Sequence, residues 1–166
     1  MTSIYFAGPD VFSPDYPRRV AHIRELCAVA GLTPLLPGDV ECDGSLEIYQ
    51  QNVALIRQAD GVIANLDPFR GPSEPDSGTV FECGLAVALG KTVVGIVSDQ
   101  RDLLTKLRGC GAAFDGPLKA YLYENTLVED FGHPLNLMLG HSLAAIVDTL
   151  ENAVAEAARL LNKYMR

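Results

Sequence analysis

The chain has 166 residues, of which 48% are hydrophobic, and a formal net charge of -8. A chain of this size and composition buries a core without disulfides or metals, so one domain over residues 1–166 is expected. The acidic charge argues against a nucleic-acid polymer or an anionic membrane as partner, because both require clustered Lys and Arg. Small, mostly neutral ligands fit this composition better.

Cysteine and hydropathy patterns indicate the compartment. The four cysteines show no paired spacing, which is typical of reduced thiols. Residues 1–6 lack a basic region followed by a long apolar run, and no stretch approaches the roughly 18 apolar residues of a membrane span. A cytoplasmic location is therefore expected. The three histidines, His22, His133 and His141, lack metal-ligand spacing, so no metal is expected and no catalytic role is assigned to them.

Short apolar, β-prone runs alternate with helical periodicities along the chain. Strands are predicted over 4–7, 32–36, 61–66 and 92–97. Helices are predicted from Tyr16 to a stop at Gly31, from an N-cap at Ser45, and from an Asp76-Ser77 cap to Leu89. Residues 109–132 predict an irregular connection, and one long final helix is expected over 142–163.

This alternation predicts an α/β fold of flavodoxin-like (Rossmann-type) arrangement, with a parallel sheet of about five strands flanked by helices. Ligands bind such sheets at the carboxyl ends of the strands. The loops after Ala7 and Leu66 should therefore meet, and bring Tyr5, Asp10 and Asp67 to one crevice.

The most informative window runs from 74 to 89, where one carboxylate, Glu82, lies inside an otherwise apolar helix. Gly78 and Ala86 precede and follow it on the same helix side, which leaves room for a ligand. An ion pair with Lys or Arg, or a solvent-facing position, would also explain an isolated Glu. Several carboxylates near one crevice favour glycosyl chemistry, in which a carboxylate stabilises an oxocarbenium-like cation and then bonds to the anomeric carbon.

Four sequence blocks carry a resemblance to a known family: Ile4-Tyr5-Phe6-Ala7-Gly8-Pro9, Asp60-Gly61-Val62-Ile63-Ala64-Asn65-Leu66, Asp76-Ser77-Gly78-Thr79-Val80-Phe81-Glu82-Cys83-Gly84 and Pro134-Leu135-Asn136-Leu137-Met138. In this order they resemble the nucleoside 2-deoxyribosyltransferase family. The D-x-G-x-x-x-E-x-G run joined to a later P-x-N-L-M is the most specific part.

The resemblance implies a catalytic set of Glu82 as nucleophile, Tyr5 as the tyrosine that orients it, and Asp76 as the acid that binds the sugar 5'-hydroxyl. It also implies that Asn136 reaches this hydroxyl from a neighbouring subunit, so that a homo-oligomer with shared sites is expected: dimer-based, tetrameric or hexameric. Gly8 and Met138, which lie in two of the blocks, are expected to bind substrate.

Four further residues are expected near the base. Asn52 matches a position where some members carry an acidic aspartate; an amide hydrogen-bonds a base but cannot protonate it. Asp67 is a possible substitute acid, or an ordinary turn residue before Pro68. Phe12 and Phe69 are candidates for stacking on the base, with core packing as the other interpretation.

The implied reaction moves a 2-deoxyribosyl group between nucleobases through a covalent Glu82 intermediate, with net retention and no cofactor. Its partners are 2'-deoxynucleosides and free nucleobases. Hydrolysis of deoxynucleosides or their 5'-monophosphates stays open as an alternative, with Arg18, Arg19 and Arg70 as the basic residues near the predicted loops. A non-enzymatic receiver-like signalling module, with Asp67 as its acceptor, is the alternative from another class.

Overall fold

A computed structural model describes residues 2–163, so Met1 and the last three residues of the expected 1–166 domain lie outside the described residues. The strands are β1 Thr2–Ala7, β2 Leu32–Leu35, β3 Gly61–Asn65, β4 Thr92–Ile96, β5 Ala113–Asp115, β6 Ala120–Tyr123, β7 Thr126–Leu127 and β8 Ala145–Val147. The helices are α1 Tyr16–Ala30, α2 Ser45–Gln58, α3 Ser77–Ala88, α4 Leu103–Gly109, α5 Leu137–Ser142 and α6 Leu150–Lys163, with a 3₁₀ turn at Pro9–Phe12.

The main sheet is parallel and has five strands in the order β2-β1-β3-β4-β8. Residues along each strand alternate between two buried faces. Ile4 and Phe6 pack with α1 and α6, whereas Tyr5 and Ala7 pack on the other side with α2, α3 and α5. The predicted α/β sheet of about five strands flanked by helices is confirmed, and this alternation turns Tyr5 towards α3.

Local signals set several of the predicted boundaries. Gly31 ends α1 in the left-handed conformation, with φ 70°, as the stop signal predicts. Asp76 caps α3, since its side chain accepts a hydrogen bond from the Thr79 amide at 2.9 Å. The predicted Ser45 cap is wrong: Gly44 is the N-cap of α2 and makes no side-chain bond, and Ser45 is the first helical residue.

The predicted final helix over 142–163 is wrong, because the structure has α5, strand β8 and α6 there. Strand β8 has three residues and pairs with β4 at the sheet edge. So short an apolar run carries no periodicity of its own, and its pairing with β4 decides its conformation. A missed local signal was Thr149, whose hydroxyl accepts from the Asn152 amide at the start of α6.

Residues 109–132 are also more regular than predicted. Strands β5, β6 and β7 form a small antiparallel sheet. Glu124 and Asn125, between β6 and β7, both have positive φ, the pattern of a two-residue type I' hairpin turn. The strands have two to four residues, too few for an alternation to emerge from sequence, and helix α4 before them was likewise not predicted.

Candidate active site

A cavity of about 560 Å³ opens at the carboxyl ends of β1 and β2, beside α2 and α3. Its walls come from five segments: the turn after β1, the first residue of α1, the loop after β2, the middle of α2, and the first turns of α3. A volume in this range fits a small-molecule ligand. This is the edge of the sheet at which a parallel α/β fold is expected to bind its ligand.

The carboxylate of Glu82 faces this cavity and is held by two neighbours. The fully buried Tyr5 donates its hydroxyl proton to Glu82 Oε1 over 2.7 Å. Asn52 on α2 contacts the same oxygen through Nδ2 at 3.5 Å, the outer limit for a hydrogen bond. Among the described residues none donates to Oε2, so one carboxylate oxygen is anchored and the other is available to a ligand.

Burial dominates the electrostatics of Glu82. Loss of solvent is the largest cause that raises the pKa of its carboxyl, and the hydrogen bond from Tyr5 opposes it. The negative charge of Asp76 also raises the pKa and the Asn52 hydrogen bond lowers it, and the net value is about 7. Burial and the adjacent Glu82 also raise the pKa of the Tyr5 phenol, which stays a proton donor. The pair therefore holds a carboxyl that titrates near neutrality against a hydroxyl that does not ionise there.

The two carboxylate oxygens of Asp76 have different surroundings. Its Oδ2 accepts from the amide and the hydroxyl of Thr79, at 2.9 and 3.0 Å, and so caps α3. No described residue donates to its Oδ1, and Asp76 lines the same cavity as Glu82. The carboxylate thus begins the helix with one oxygen and leaves the other for a hydroxyl donor.

The small residues around Glu82 do different things. Gly78, one turn before it, lines the cavity and leaves space above the carboxylate, as expected. Ala86, one turn after it, is fully buried in the core beneath the sheet-facing side of α3. The room for a ligand therefore lies on the N-terminal side of Glu82 only, and the expectation of space on both sides is corrected.

The structure brings together Glu82, Tyr5, Asp76, Asn52, Gly8 and Phe12. Asp67, in contrast, is absent from the cavity lining, and its carboxylate accepts from the amide and hydroxyl of Ser98 at 2.7 and 2.6 Å. It joins the loops after β3 and β4, which agrees with a structural role. The Asp10 side chain is also directed away from this cavity, towards Asn65 and Arg19.

Phe12 and Phe69 contact each other. Their rings stack with centroids 5.7 Å apart and planes 20° from parallel. The Arg70 guanidinium lies 4.5 Å from the Phe69 ring and 5.3 Å from the Phe12 ring. Only Phe12 lines the cavity, with 62% of its surface exposed, so Phe69 supports it from behind.

Asn136 and Met138 lie outside the cavity of their own chain. Asn136 caps α5 through the Met138 amide at 3.0 Å, and its Nδ2 donates to Glu129, which also accepts from the Leu137 amide at 3.0 Å. Asn136 is exposed and Met138 is 74% exposed. The side chains of Asn136 and Met138 therefore lie on the surface of this chain, away from its own cavity.

Sequence reasoning missed part of the cavity wall. The loop after β2 contributes Pro37, Gly38 and Cys42, and α2 contributes Gln51. Its position in the sequence could have indicated this wall, because the loop follows the carboxyl end of β2, the strand that pairs with β1. The path of this loop depends on left-handed backbone conformations at Gly38 and Gly44, with φ 84° and 95°. No sequence motif predicts these conformations.

Within residues 2–163, no group of three or more His, Cys, Asp or Glu side chains is arranged to hold a metal ion. None of the helices in this range is long and apolar enough to span a membrane.

The sequence model of the nucleoside 2-deoxyribosyltransferase family matches residues 4–138, which is most of the chain. The chain belongs to this family. The solved structure of a 2-desoxiribosyltransferase from Leishmania mexicana is similar, with 36% sequence identity and a TM-score of 0.83, covering 96% of this chain and 98% of that one. The family consists of enzymes, so the receiver-like signalling interpretation is set aside.

Two curated relatives broaden this picture. A 5-hydroxymethyl-dUMP N-hydrolase of Mus musculus is 29% identical over 142 residues, 79% of this chain and 78% of the mouse protein. An uncharacterized protein of Schizosaccharomyces pombe is 32% identical over 114 residues, 63% of this chain and 54% of that protein. The chain thus spans about half the length of the fission-yeast relative.

The raised pKa of Glu82 predicts a pH-dependent cost to stability. The folded protein binds this proton more tightly than the unfolded chain, whose carboxyl titrates near 4.5, so stability is lost as pH rises from there through about 7. We expect Glu82→Gln to raise the free energy of unfolding by about 3 kcal/mol at pH 8 and to leave it nearly unchanged at pH 4. Urea denaturation at both pH values measures this.

The exposed Glu25 on α1 provides the matched control, since Glu25→Gln removes a charge that is already in solvent. An equal increase in the free energy of unfolding of Glu82→Gln at pH 4 and at pH 8 would contradict the prediction.

Proposed function

We propose that this protein is a nucleoside 2'-deoxyribosyltransferase, which moves the 2-deoxyribosyl group between nucleobases through a covalent Glu82 intermediate with retention. The observation that carries the proposal is the Tyr5–Glu82 hydrogen bond of 2.7 Å at the wall of a ligand-sized cavity. A buried carboxylate held by a neutral donor is suited to stabilise a cation and then bond to it.

The anchoring of Glu82 indicates which oxygen reacts. Tyr5 and Asn52 both contact Oε1, so Oε2 attacks the anomeric carbon as the bond from that carbon to the base nitrogen breaks. The electron pair of the broken bond leaves with the base. The departing base anion takes up a proton from solvent. A second base then attacks from the vacated face, its nitrogen bonds to the anomeric carbon and releases its N–H proton to solvent, and Glu82 leaves as a carboxylate. Two inversions amount to net retention.

Asp76 orients the sugar in this proposal. Its free Oδ1 accepts a hydrogen bond from the 5'-hydroxyl, while Oδ2 stays fixed by Thr79. A 5'-phosphate would instead meet the carboxylates of Asp76 and Glu82, and among residues 2–163 no Lys or Arg lines the cavity. Arg19 pairs with Asp10, Arg70 lies against the rings of Phe12 and Phe69, and neither these two residues nor Arg18 line the cavity.

Asn52 and Phe12 are assigned to the nucleobase. Both line the cavity, Asn52 with an amide that hydrogen-bonds a base edge and Phe12 with an exposed ring for stacking. Asp67 is left out of this assignment, because both its carboxylate oxygens are engaged with Ser98.

Hydrolysis is the second candidate. If water enters the vacated base site and attacks the anomeric carbon, the same intermediate is hydrolysed to free 2-deoxyribose. The mouse relative is an N-hydrolase whose name gives a deoxynucleotide substrate. The acidic cavity favours deoxynucleosides over 5'-monophosphates for either reaction.

The first test incubates the protein with a 2'-deoxynucleoside and a different free base, and follows both nucleosides and free sugar by chromatography. We expect a new deoxynucleoside, and a loss of at least about 10³-fold in kcat for Glu82→Ala, which removes the nucleophile. Tyr5→Phe keeps the carboxylate but removes its donor, and we expect about a 10- to 100-fold loss. Free sugar without exchange would assign the hydrolase; full activity of Glu82→Ala would overturn the covalent mechanism.

The second test is the pH dependence of kcat/KM. The nucleophile must be ionised, so we expect activity to rise with pH to a plateau, with an apparent pKa of about 7. In Tyr5→Phe the rise of kcat/KM should move to higher pH, because the lost hydrogen bond stabilised the ionised carboxylate of Glu82. In Asp76→Asn it should move to lower pH, because a neighbouring negative charge is gone. A rise of kcat/KM centred near pH 4 in the wild type and both variants would contradict the assignment of Glu82 as the ionising nucleophile.

We further propose that the active enzyme is a homo-oligomer in which Asn136 completes the site of a neighbouring subunit. Asn136 and Met138 are exposed and lie outside their own cavity. Large apolar side chains on α2 and α3 next to the cavity are also exposed and suit coverage by a second copy: Leu46, Tyr49, Val80 and Phe81.

Subunit complementation tests the shared site. Glu82→Ala and Asn136→Ser, which retains a capping oxygen for α5, should each be inactive or weak alone. Co-expressed, they should recover roughly a quarter of wild-type sites, because half of the dimers are mixed and one site in each mixed dimer is intact. Co-expression of Glu82→Ala with Asp76→Ala, whose defects fall in the same subunit, is the control and should recover nothing. No recovery in the first pair would exclude a contribution of Asn136 in trans.

A further inference from the structure

The turn after β1 forms one wall of the Glu82 cavity; the segment from Gly8 to Phe12 is called the β1 wall below. Gly8, Val11 and Phe12 line the cavity, whereas Asp10 in the same 3₁₀ turn does not. Tyr5, which holds the nucleophile, lies only three residues before Gly8. The position of the β1 wall therefore sets the width of the cavity opposite α2 and α3.

The Asp10 carboxylate is tied to the neighbouring strand. Asn65 Nδ2 donates to both oxygens of Asp10, at 3.1 and 3.2 Å. Asn65 is the last residue of β3, which pairs with β1 in the sheet, so this contact spans the carboxyl ends of two adjacent strands. Arg19 on α1 adds an ion pair, with Nε 2.9 Å from Asp10 Oδ1.

The Asn65 side chain is used at both ends. Its Nδ2 donates to Asp10, and its Oδ1 accepts from the Asp67 amide at 3.2 Å. Only a carboxamide supplies a donor and an acceptor in this way at this length. A carboxylate at 65 would retain the acceptor but would place a second negative charge against Asp10.

Gly8 lets this contact form. A Cβ added to Gly8 would lie 2.9 Å from Asn65 Cβ and 2.9 Å from Asp10 Oδ2, closer than such atoms approach. The absence of a side chain at 8 therefore serves the Asp10–Asn65 contact, in addition to its place in the cavity lining.

We propose that the Asp10–Asn65 pair is a positioning clasp that holds the β1 wall at the distance required to bind the sugar and base. Neither residue lines the Glu82 cavity, so the clasp acts through the wall. The inference rests on the proposed function for its kinetic consequences. The wall contacts the substrate before and during reaction alike, so its displacement weakens ground state and transition state equally and raises KM more than it lowers kcat.

A charge-swap cycle tests the clasp. Asn65→Asp sets two carboxylates against each other, and we expect KM for a 2'-deoxynucleoside to rise about tenfold with kcat within about twofold. Asp10→Asn should raise KM less, since an amide at 10 still accepts from Asn65. The double variant Asp10→Asn/Asn65→Asp restores one donor facing one carboxylate, and its KM should return to within about threefold of wild type.

Hydrogen exchange supplies a readout that does not depend on turnover. We expect amides 8–16 to exchange faster in Asn65→Asp than in wild type, and to regain protection in the double variant. If the protein neither transferred nor hydrolysed deoxynucleosides, none of these variants would turn them over, yet this exchange pattern would still report on the clasp.

Asp60 provides the matched control. Its carboxylate accepts from the Ser3 amide at 2.7 Å and the Ser3 hydroxyl at 3.0 Å, so it joins β1 and β3 at the opposite edge of the sheet. Asp60→Ala should lower thermal stability without changing KM or the exchange of amides 8–16. The clasp is overturned if Asn65→Asp leaves KM and exchange at wild-type values, if Asp60→Ala changes KM as much, or if the double variant is no better than Asn65→Asp.

Discussion

The site depends on keeping a carboxylate partly out of water against the central sheet. Ionising a buried acid is costly, and here the pKa of Glu82 rises to about 7 instead of higher because Tyr5 and Asn52 donate to it. Tyr5 can do so because the pleat of β1 directs alternate residues to the α3 side of the sheet. The hydrogen bonds that reach Glu82 from β1 and α2 thus hold its carboxyl near the boundary between its neutral and charged forms, which suits the proposed use of one group as nucleophile and then as leaving group.

Asp76 shows how a helix terminus contributes to the same chemistry. The N-terminus of a helix is a natural site for an anion, and a free one would attract a phosphate. In this protein the position is filled by a carboxylate of the chain itself, which satisfies the amide of Thr79 and presents one oxygen to the cavity. The carboxylate of Asp76 thereby interacts with the positive end of the α3 dipole, and the cavity keeps a negative charge that agrees with the proposed binding of an uncharged sugar hydroxyl.

The periphery of the site is assembled from segments that meet only in the folded chain. The turn after β1 is fastened to β3 through Asn65, and the start of α5 is fastened to the end of the small sheet through Glu129. Both contacts join the ends of elements that are distant along the chain, and both are made by side chains whose donors and acceptors are matched. They give rigid placement to segments that have little secondary structure of their own.

The sequence by itself determined the layered α/β architecture, the helix that carries Glu82 and the cap at Asp76, because these follow from local periodicity and from side chains that bond to nearby backbone. The strand β8 and the small sheet depended on the tertiary structure, since runs of two to four residues become strands only when a partner strand supplies their hydrogen bonds. The same holds for Asp67, which by its position after a strand was a candidate acid. In the folded chain the nearest donors to its carboxylate belong to Ser98, 31 residues away, and a distance in sequence of that size leaves no local signal.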